Sequence, residues 1–358
     1  MNAHSWLARV GTIALPVVIA FAVALLLLQL ADAPPFEALG LIWEGSVGSA
    51  AKISDTLSAW VPLTLAAAGL VVTFAAGLWN IGVEGQIVAG AVAATWVARE
   101  LPGPAAVLIT AMLLAGIVGG ALWALLAGLL KTRGGVNEIF GGLGLDFVAS
   151  GLAIYLIIGP WKREGVASTS GTDLFRPEAW MPTVGRAQFA VIPILLTVGA
   201  VVLVYVLMRG TRFGLRLKAV GKNPRSAHLL GISTERYTLA AFLLCGGLAG
   251  LAGAILVSGV FHKLVPSVSG GYGFLGILVV LLAGYRAAWI APISFFFAAV
   301  AVGSTQLSLR LDLDSSLGGV LQGVLVLLVI LLGGWRARRT RRRMVLMGPE
   351  RLMEPEGP

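Results

Sequence analysis

Long apolar runs alternate with short polar segments along almost the whole chain. Taking about 20 apolar residues as one membrane crossing, the pattern predicts ten spans. They lie at residues 10–31, 57–79, 81–98, 105–130, 139–159, 189–208, 237–261, 272–284, 287–309 and 317–335. The predicted fold class is therefore an all-α polytopic membrane protein. An even number of spans would place both termini on the same side of the membrane.

Two of the predicted spans are abnormal. The run at 81–98 follows Trp79 and Asn80 almost without a loop and begins with Glu84 and Gln86. The run at 272–284 has 13 residues, about a third short of the bilayer core. Broken or re-entrant helices of this kind persist at membrane depth only where the opened backbone lines protein or a cavity. The order of the spans also predicts an inverted 5+5 repeat, whose halves face opposite ways across the membrane.

The basic residues fix the predicted orientation. The polar segment 209–236 carries seven Lys and Arg residues against one acid, and loops this basic stay on the cytoplasmic side. With this loop inside, 18 of the 26 basic residues are cytoplasmic, seven of them in a basic tail at 336–358. The predicted organisation is a transmembrane domain over 1–335, with external loops at 32–56 and 160–188, followed by that tail.

Composition narrows the classes of function. With 58% hydrophobic residues, 12% charged residues and a mean hydropathy of +0.91, the chain is too apolar for a water-soluble globule. Its net charge of +9 arises in loops and tail, so we predict no nucleic-acid binding. The single cysteine, Cys245, excludes an intrachain disulfide. The sequence lacks metalloprotease, serine-hydrolase and P-loop motifs, so we predict no catalytic residue and no metal site.

Acidic residues inside membrane spans are costly and mark functional sites by default. Glu84 clusters with Asn80 and Gln86 beside two glycines. Such a cluster either hydrogen-bonds a hydroxylated or amide-bearing solute or ties helices together. Asp146 lies about two turns into its span and needs a partner or water. The predicted solute-path residues are Asn80, Glu84, Gln86, Asp146, Gly271, Tyr272 and Phe274.

The basic loop contains a predicted short helix. Asn223 suits an N-cap, Pro224 the first helical position, and Gly231 the position just past a helix end. Because a simple tether needs no capped helix, we expect the segment 224–230 to dock another protein. Ala227 and Leu230 fall on one face at i, i+3 spacing, where the small Ala227 would allow close approach and Leu230 would fill a groove. The alternative is a solvated basic linker.

Five segments resemble permease subunits of bacterial ABC importers. They are Gly77–Gln86 (GLWNIGVEGQ), Val136–Glu138, Phe213–Pro224 with its continuation through Gly231 and Ile232, Leu248–Gly253, and Gly271–Phe274. The resemblance covers roughly residues 57–309. It is to the class that imports ribose, branched-chain amino acids and nucleosides, and is closest to nucleoside permeases that work with a basic-membrane-protein lipoprotein.

The resemblance implies a non-catalytic permease of a bacterial cell membrane that imports a small polar solute, a nucleoside or simple sugar. The implied partners are a cytoplasmic ATP-binding subunit that holds ATP and Mg²⁺, a second permease subunit, an external solute-binding lipoprotein and membrane lipid; this chain itself binds no cofactor. The implied ATPase-coupling residues are Gly221, Asn223, Pro224, Ala227, Leu230 and Gly231.

Two points stay open in the sequence. Asp146 stands where this class usually has Asn, so the choice of solute is not fixed by the resemblance. The alternative function is an autonomous secondary transporter or channel that uses Glu84 or Asp146 as an ion-coupled site.

Overall fold

The computed structural model describes residues 22–23, 25–26, 28–29, 34–163, 165, 170–314, 316–329 and 331. Most of the first predicted span and all of the predicted basic tail at 336–358 lie outside these residues. The helices are α1 Pro35–Val47, α2 Ala50–Ala75, α3 Val83–Glu100, α4 Ala105–Thr132, α5 Glu138–Ile158, α6 Val191–Gly210, α7 Arg212–Lys222, α8 Pro224–Leu229, α9 Thr234–Ile255, α10 Tyr272–Leu282, α11 Ile290–Gly303, α12 Thr305–Leu311 and α13 Leu317–Val329. No strand is assigned within the described part of the chain, which agrees with the predicted all-α class.

Polar side chains begin several of these helices by accepting hydrogen bonds from free backbone N–H groups. Ser49 accepts from the backbone N–H of Lys52 before α2, and Asn137 accepts from that of Ile139 before α5. Thr211 accepts from the backbone N–H of Gly214 before α7. The helix starts that the hydropathy pattern placed only approximately are therefore set by these short side chains.

Six helical segments of the described residues are long and apolar enough to cross a membrane. They are α2, α4, α5, α6, α9 with its continuation to Val260, and the segment 287–311. Shorter apolar helices are α10 and α13. Helix α3 has 18 residues but carries Glu84, Arg99 and Glu100. The prediction of a short element at 272–284 is confirmed, since α10 has 11 residues, about 16 Å at 1.5 Å per residue. The predicted span 287–309 is interrupted between Gly303 and Thr305.

Contacts divide the chain into two units, residues 43–303 and the two ends. In the larger unit, α9 packs against α2, α3 and α4, and α2 also packs against α10 and α11. The most apolar windows of α2 and α9 are 83% and 72% buried, against 28% for those of α4, α5 and α6. Helices α2 and α9 are therefore central, and the outer helices expose leucine and valine side chains at the surface of the bundle. In the other unit, Leu28, Ala38, Ile42 and Leu307 form a small apolar core.

Helices α3, α4 and α9 meet through glycines. Gly90 on α3, Gly116 and Gly120 on α4, and Gly246 and Gly250 on α9 form what we call the glycine seam. A Cβ atom on Gly250 would collide with the backbone of Gly116 and Gly120, and one on Gly90 would collide with the backbone of Gly250. Such small residues let helices approach to backbone contact, which is a principal source of helix association in lipid.

Candidate functional site

The break before α10 is held by a carboxylate from another helix. Glu84 is 6% exposed. Its Oε1 accepts a hydrogen bond from the Gly271 N–H at 2.8 Å, and its Oε2 accepts one from the Gly273 N–H at 2.6 Å. These N–H groups lie at the N-terminus of α10, on the residue just before the helix and in its first turn, where a helix has no internal acceptors and favours negative charge. Glu84 therefore acts as the cap of α10, supplied by α3.

Glycine is required at this break for two separate reasons. Gly270 and Gly271 have φ of +56° and +78°, in the left-handed region that other residues rarely adopt. A Cβ atom on Gly273 would collide with the Glu84 carboxylate. The glycine-rich approach to α10 is thus shaped to bring two backbone N–H groups onto one buried acid.

The side chains of Asn80 and Gln86 hydrogen-bond to each other rather than lining an open path. Asn80 Nδ2 donates to Gln86 Oε1 at 3.1 Å, and Gln86 Nε2 donates to Asn80 Oδ1 at 3.0 Å. Asn80 Nδ2 also lies 3.1 Å from Cys245 Sγ on α9. Asn80 and Gln86 are at most 1% exposed. This reciprocal amide pair favours the alternative in which the polar cluster ties the start of α3 to α9.

Asp146 is buried on the face of α5 that packs against α3. It is 7% exposed, and its Oδ1 has no hydrogen-bond partner among the described residues. A Cβ atom on Gly85 would collide with the Asp146 backbone, so the two helices touch at this level. A buried acceptor without a partner is costly, which makes Asp146 the member of the predicted set with an unused hydrogen-bonding atom.

The remaining predicted path residues lie on α10. Tyr272 is partly buried against the apolar cluster that contains Trp60 and Leu65. Phe274 is 44% exposed. The structure therefore brings Glu84, Gly271 and Tyr272 together at the start of α10, and directs Asn80 and Gln86 towards α9 instead.

The predicted short helix of the basic loop is present as α8, which ends at Leu229. The Asn223 side chain accepts from the Ser226 backbone N–H at 3.0 Å, Pro224 occupies the first turn, and Gly231 follows with φ +77°. Gly221, just before α8, packs backbone to backbone against the end of α2 at Gly77. The loop is thus fixed to the membrane helices rather than hanging free.

One expectation about this helix is wrong. Ala227 is 2% exposed, because the side of α8 that carries it packs against the chain itself, so it cannot form a contact face with Leu230. The side chains presented to solvent are Leu229 and Leu230, at 86% and 79% exposure. A recess of about 300 Å³ lies at the start of α8, and its lining includes Pro224, Lys131 and Glu235.

Ion pairs connect the loops near α8. Lys131 Nζ lies 2.6 Å from Glu138 Oε2, joining the end of α4 to the start of α5. Arg133 Nε lies 3.0 Å from Glu235 Oε1, joining the same turn to α9. These contacts gather the ends of α4, α5 and α9 around the recess beside α8.

Residues 52–330 match the protein family described as branched-chain amino acid transport system / permease component. The chain belongs to this permease family. Permease components are non-catalytic, multi-pass membrane subunits, and the corresponding predictions from the sequence are confirmed.

Named relatives of this permease are transport subunits as well. The glucose ABC transporter permease protein TsgB13 of Haloferax volcanii is 33% identical over 336 residues, covering 91% of this chain and 88% of the relative. The guanosine ABC transporter permease protein NupP of Bacillus subtilis is 27% identical over 293 residues, covering 80% and 83%. The nucleoside ABC transporter permease protein NupB of Lactococcus lactis is 30% identical over 264 residues, covering 71% of each chain.

The loop around residues 172–181 of the permease is folded, which the sequence did not predict. The backbone N–H groups of Thr172, Phe175 and Met181 donate to the carbonyls of Leu264, His262 and Ser258 at 2.8–2.9 Å. The Trp180 and His262 rings stack with centroids 4.3 Å apart. Burial lowers the pKa of His262 from its usual value, which favours the neutral ring in this stack. In the sequence, the tryptophan and proline content of this loop was the one feature that indicated a folded structure.

The acceptor at Ser258 is freed by an irregularity in the helix. Residues Leu256–Val260 form a single π-helical turn after α9, closed by the Phe261 N–H bonding to the Leu256 carbonyl at 2.9 Å. Such turns leave carbonyls free for other donors, and Met181 takes one of them. Within the described residues no group of three His, Cys, Asp or Glu is placed to hold a metal ion.

Proposed function

We propose that this permease is a membrane subunit of an ATP-driven importer for a nucleoside or a simple sugar. The observation that carries the proposal is α8, a capped helix whose end exposes Leu229 and Leu230 and whose start borders a mixed polar recess. An exposed apolar pair fixed in place by backbone contacts is typical of a docking surface. The names of three relatives support the solute class, since two are nucleoside or guanosine permeases and one is a glucose permease.

The proposed assembly contains a cytoplasmic ATP-binding subunit that binds ATP and Mg²⁺ and docks on α8. It also contains a second permease subunit and an external solute-binding lipoprotein. The proposed arrangement in the bacterial cell membrane has ten spans as an inverted 5+5 repeat, with both termini cytoplasmic and the domain 1–335 followed by the tail 336–358. The distribution of basic residues supports this orientation.

The proposed path runs past the break before α10, with Asp146 as a contact for solute. Glu84, Gly271 and Tyr272 shape it, and Asn80 and Gln86 support it from behind. The rival function, an autonomous ion-coupled carrier based on Glu84, is disfavoured because both oxygens of that carboxylate already accept backbone hydrogen bonds. A coupling ion would have to share these oxygens with the two backbone donors.

Docking is tested by replacing both exposed leucines with aspartate, Leu229→Asp with Leu230→Asp. The purified complex should lose the ATP-binding subunit on size exclusion and lose solute-stimulated ATP hydrolysis with a panel of nucleosides and sugars. Arg225→Ala is the matched control on the same helix, because an exposed rim charge is worth under about 1 kcal/mol. Ala227→Arg does not test docking cleanly, since it buries a charge in the chain itself. Normal transport by the double variant would reduce this loop to a tether.

Orientation is tested by single-cysteine labelling in a Cys245→Ser background. We expect Ser170→Cys to react with an impermeant thiol reagent in intact cells, and Ser226→Cys to react only after the cells are opened. Both residues are solvent-exposed, so access of the reagent depends on the side of the membrane. Labelling of Ser226→Cys in intact cells would overturn the proposed topology.

A further inference from the structure

A groove of about 600 Å³ runs along the side of the bundle where α4 and α5 both pack against α3. Small residues form its deepest part: Ala89 and Ala93 on α3 face Gly119 on α4, where an added Cβ atom would collide with the Ala93 side chain. Leucine, valine and tryptophan side chains make up most of the rest of the lining, among them Leu122 and Leu152. Every residue that lines the groove within the described part of the chain is apolar.

The groove is about as long as one leaflet of a membrane is thick. Its lining extends from Ala115 to Leu126 on α4, which is about 16 Å at 1.5 Å per residue. The hydrocarbon core of a bilayer is about 30 Å thick, so the acyl chains of one leaflet fill about 15 Å of it. A single acyl chain therefore matches the groove in length and in polarity.

Two of the tryptophans that line the groove lie at the same end of it. Trp96, near the end of α3, is 59% exposed. Trp161 follows the end of α5, where its backbone N–H donates to the Leu156 carbonyl at 2.8 Å. Tryptophan is enriched at the level of lipid headgroups, because its ring is apolar while its N–H group can reach water or phosphate. This end of the groove is therefore the one that suits a headgroup.

Positive charge lies at the same end. The Arg99 guanidinium sits over the Trp161 ring, 5.6 Å from the ring centroid. Arg99 lies three residues after Trp96, so the two side chains share a face of α3. Arg99 is exposed and takes part in no ion pair among the described residues. The adjacent Glu100 leaves the helix about 100° away around its axis. Arg99 is thus placed to bind an anion from outside the chain.

A second guanidinium reinforces the charge at the end of α3. Arg176 Nη2 donates to the Leu101 carbonyl at 2.7 Å and to the Ala98 carbonyl at 3.3 Å. Carbonyls at the C-terminus of a helix carry its partial negative charge. Because Arg176 offsets that partial charge, it does not neutralise Arg99. Basic residues beside an apolar pocket between membrane helices are typical of sites for anionic lipid headgroups.

We propose that the groove between α3, α4 and α5 binds one anionic phospholipid, with an acyl chain along the apolar lining and the phosphate at Arg99. In the proposed orientation of the permease, this lipid belongs to the outer leaflet. The guanidinium selects a lipid with net negative charge, since a zwitterionic headgroup brings an ammonium group of its own. The bound chain fills a gap that direct packing of the three helices leaves open.

The charge requirement is tested on the permease purified with its native partner subunits and stripped of lipid. Phosphatidylglycerol and phosphatidylcholine with identical acyl chains are titrated onto the complex and counted by native mass spectrometry. One phosphatidylglycerol should bind about fivefold more tightly than phosphatidylcholine, which is what one basic residue near an anionic lipid contributes. Arg99→Gln should abolish this preference, and Arg99→Lys should keep most of it. Arg186→Gln, an equal change of charge in the exposed loop before α6, is the matched control and should leave the preference unchanged.

The location is tested with a phosphatidylglycerol analogue that carries a photoreactive diazirine in one acyl chain. After irradiation of the complex, peptide mapping should find the label on groove residues such as Leu122 and Leu152. Ala115→Phe, which fills the groove, should lower this labelling several-fold. Ala121→Phe is the matched control, because Ala121 is also half-buried on α4 but does not line the groove. Both variants are compared only as monodisperse complexes, and the Arg99 variants keep the proposal testable if Ala115→Phe does not fold.

Three outcomes would overturn the lipid site. The first is equal binding of the two lipids by the wild type, or an unchanged preference in Arg99→Gln. The second is label spread evenly over the exposed faces of α4, α5 and α6, which would indicate bulk lipid only. The third is a groove labelled after the partner subunits are removed but not in the complex, which would assign the groove to a partner subunit. None of these measurements involves uptake of nucleosides or sugars, so failure of the lipid site and failure of the proposed function are distinguishable.

Discussion

The glycine seam and the break before α10 hold helices together by opposite means. At the seam, Gly90, Gly116 and Gly250 bring backbones into direct contact, with no side chain between them. At the break, Glu84 holds α10 through hydrogen bonds to two backbone N–H groups. Separating the seam would lose close packing with nothing to replace it, whereas water or a hydroxylated solute can replace the hydrogen bonds. The difference teaches which contacts a transport cycle is able to exchange.

We expect the largest effect from Gly250→Ala, which disrupts the packing of the glycine seam. The added Cβ would collide with the carbonyl of Gly116 and the backbone of Gly120, forcing α4 and α9 apart. We expect loss of folded protein, measured as loss of the monodisperse peak in detergent. Gly199→Ala on α6 is the matched control, since nothing lies within 4 Å of its added Cβ. It should be neutral or gain up to about 1 kcal/mol of stability. A well-folded Gly250→Ala variant would contradict the rigidity assigned to the seam.

Glu84→Ala should have the next largest effect, because it removes the carboxylate that holds the break before α10. It leaves the N–H groups of Gly271 and Gly273 without acceptors, at a cost of about 1–3 kcal/mol. We expect at least a tenfold fall in uptake, measured in proteoliposomes, while the complex still assembles. Uptake by Glu84→Gln, which keeps one acceptor oxygen, should lie between that of the wild type and that of Glu84→Ala. If Glu84→Ala prevents assembly, the carboxylate is a structural link between helices, as the glycine seam is, and not part of the solute path.

Asp146→Asn should alter the choice of solute more than the rate. The substitution keeps the shape of the side chain but replaces the carboxylate, whose Oδ1 has no hydrogen-bond partner among the described residues, with a neutral amide. We expect the relative uptake of nucleosides and sugars in a competition panel to shift several-fold, with assembly unchanged, because the amide offers a donor where the acid offers only acceptors. An identical solute profile would remove Asp146 from the path.

Arg133→Ala should have the smallest effect. The side chains of Arg133 and Glu235 are 71% and 47% exposed, so their ion pair is screened by water and worth under about 1 kcal/mol. Thermal unfolding of the purified permease should shift only slightly, and uptake should not change. A large loss would place this exposed pair among the contacts that hold the bundle together.

Local features of the fold could be predicted from the sequence because their causes are local. Asn223, Pro224 and Gly231 set the bounds of α8 to within one residue, since caps act over a single turn. The shortness of α10 followed from the length of its apolar run. These properties depend on neighbours in the chain and need no knowledge of tertiary packing.

Contacts between distant residues could not be predicted in the same way. Glu84 and Gly271 are 187 positions apart, and the sequence gives no sign that an acid on one helix would cap another. The burial of Ala227 is similar, because the face of a six-residue helix that turns inward is decided by what it packs against. The pairing of Asn80 with Gln86 shows that a polar cluster in a membrane can satisfy itself.

The π-helical turn at Leu256–Val260 makes the local structure of the permease depend on the number of residues at this point. A π turn holds about one residue more than an α turn of the same rise, and each residue of an α-helix accounts for about 100° of rotation. Deleting Gly259 would therefore restore a regular helix, withdraw the Ser258 carbonyl from Met181 and rotate the approach to α10 away from Glu84. In an alignment of relatives, a one-residue gap here would therefore indicate a rebuilt contact with the loop that contains Met181, whereas a gap of that size in a free loop would indicate only a change in loop length.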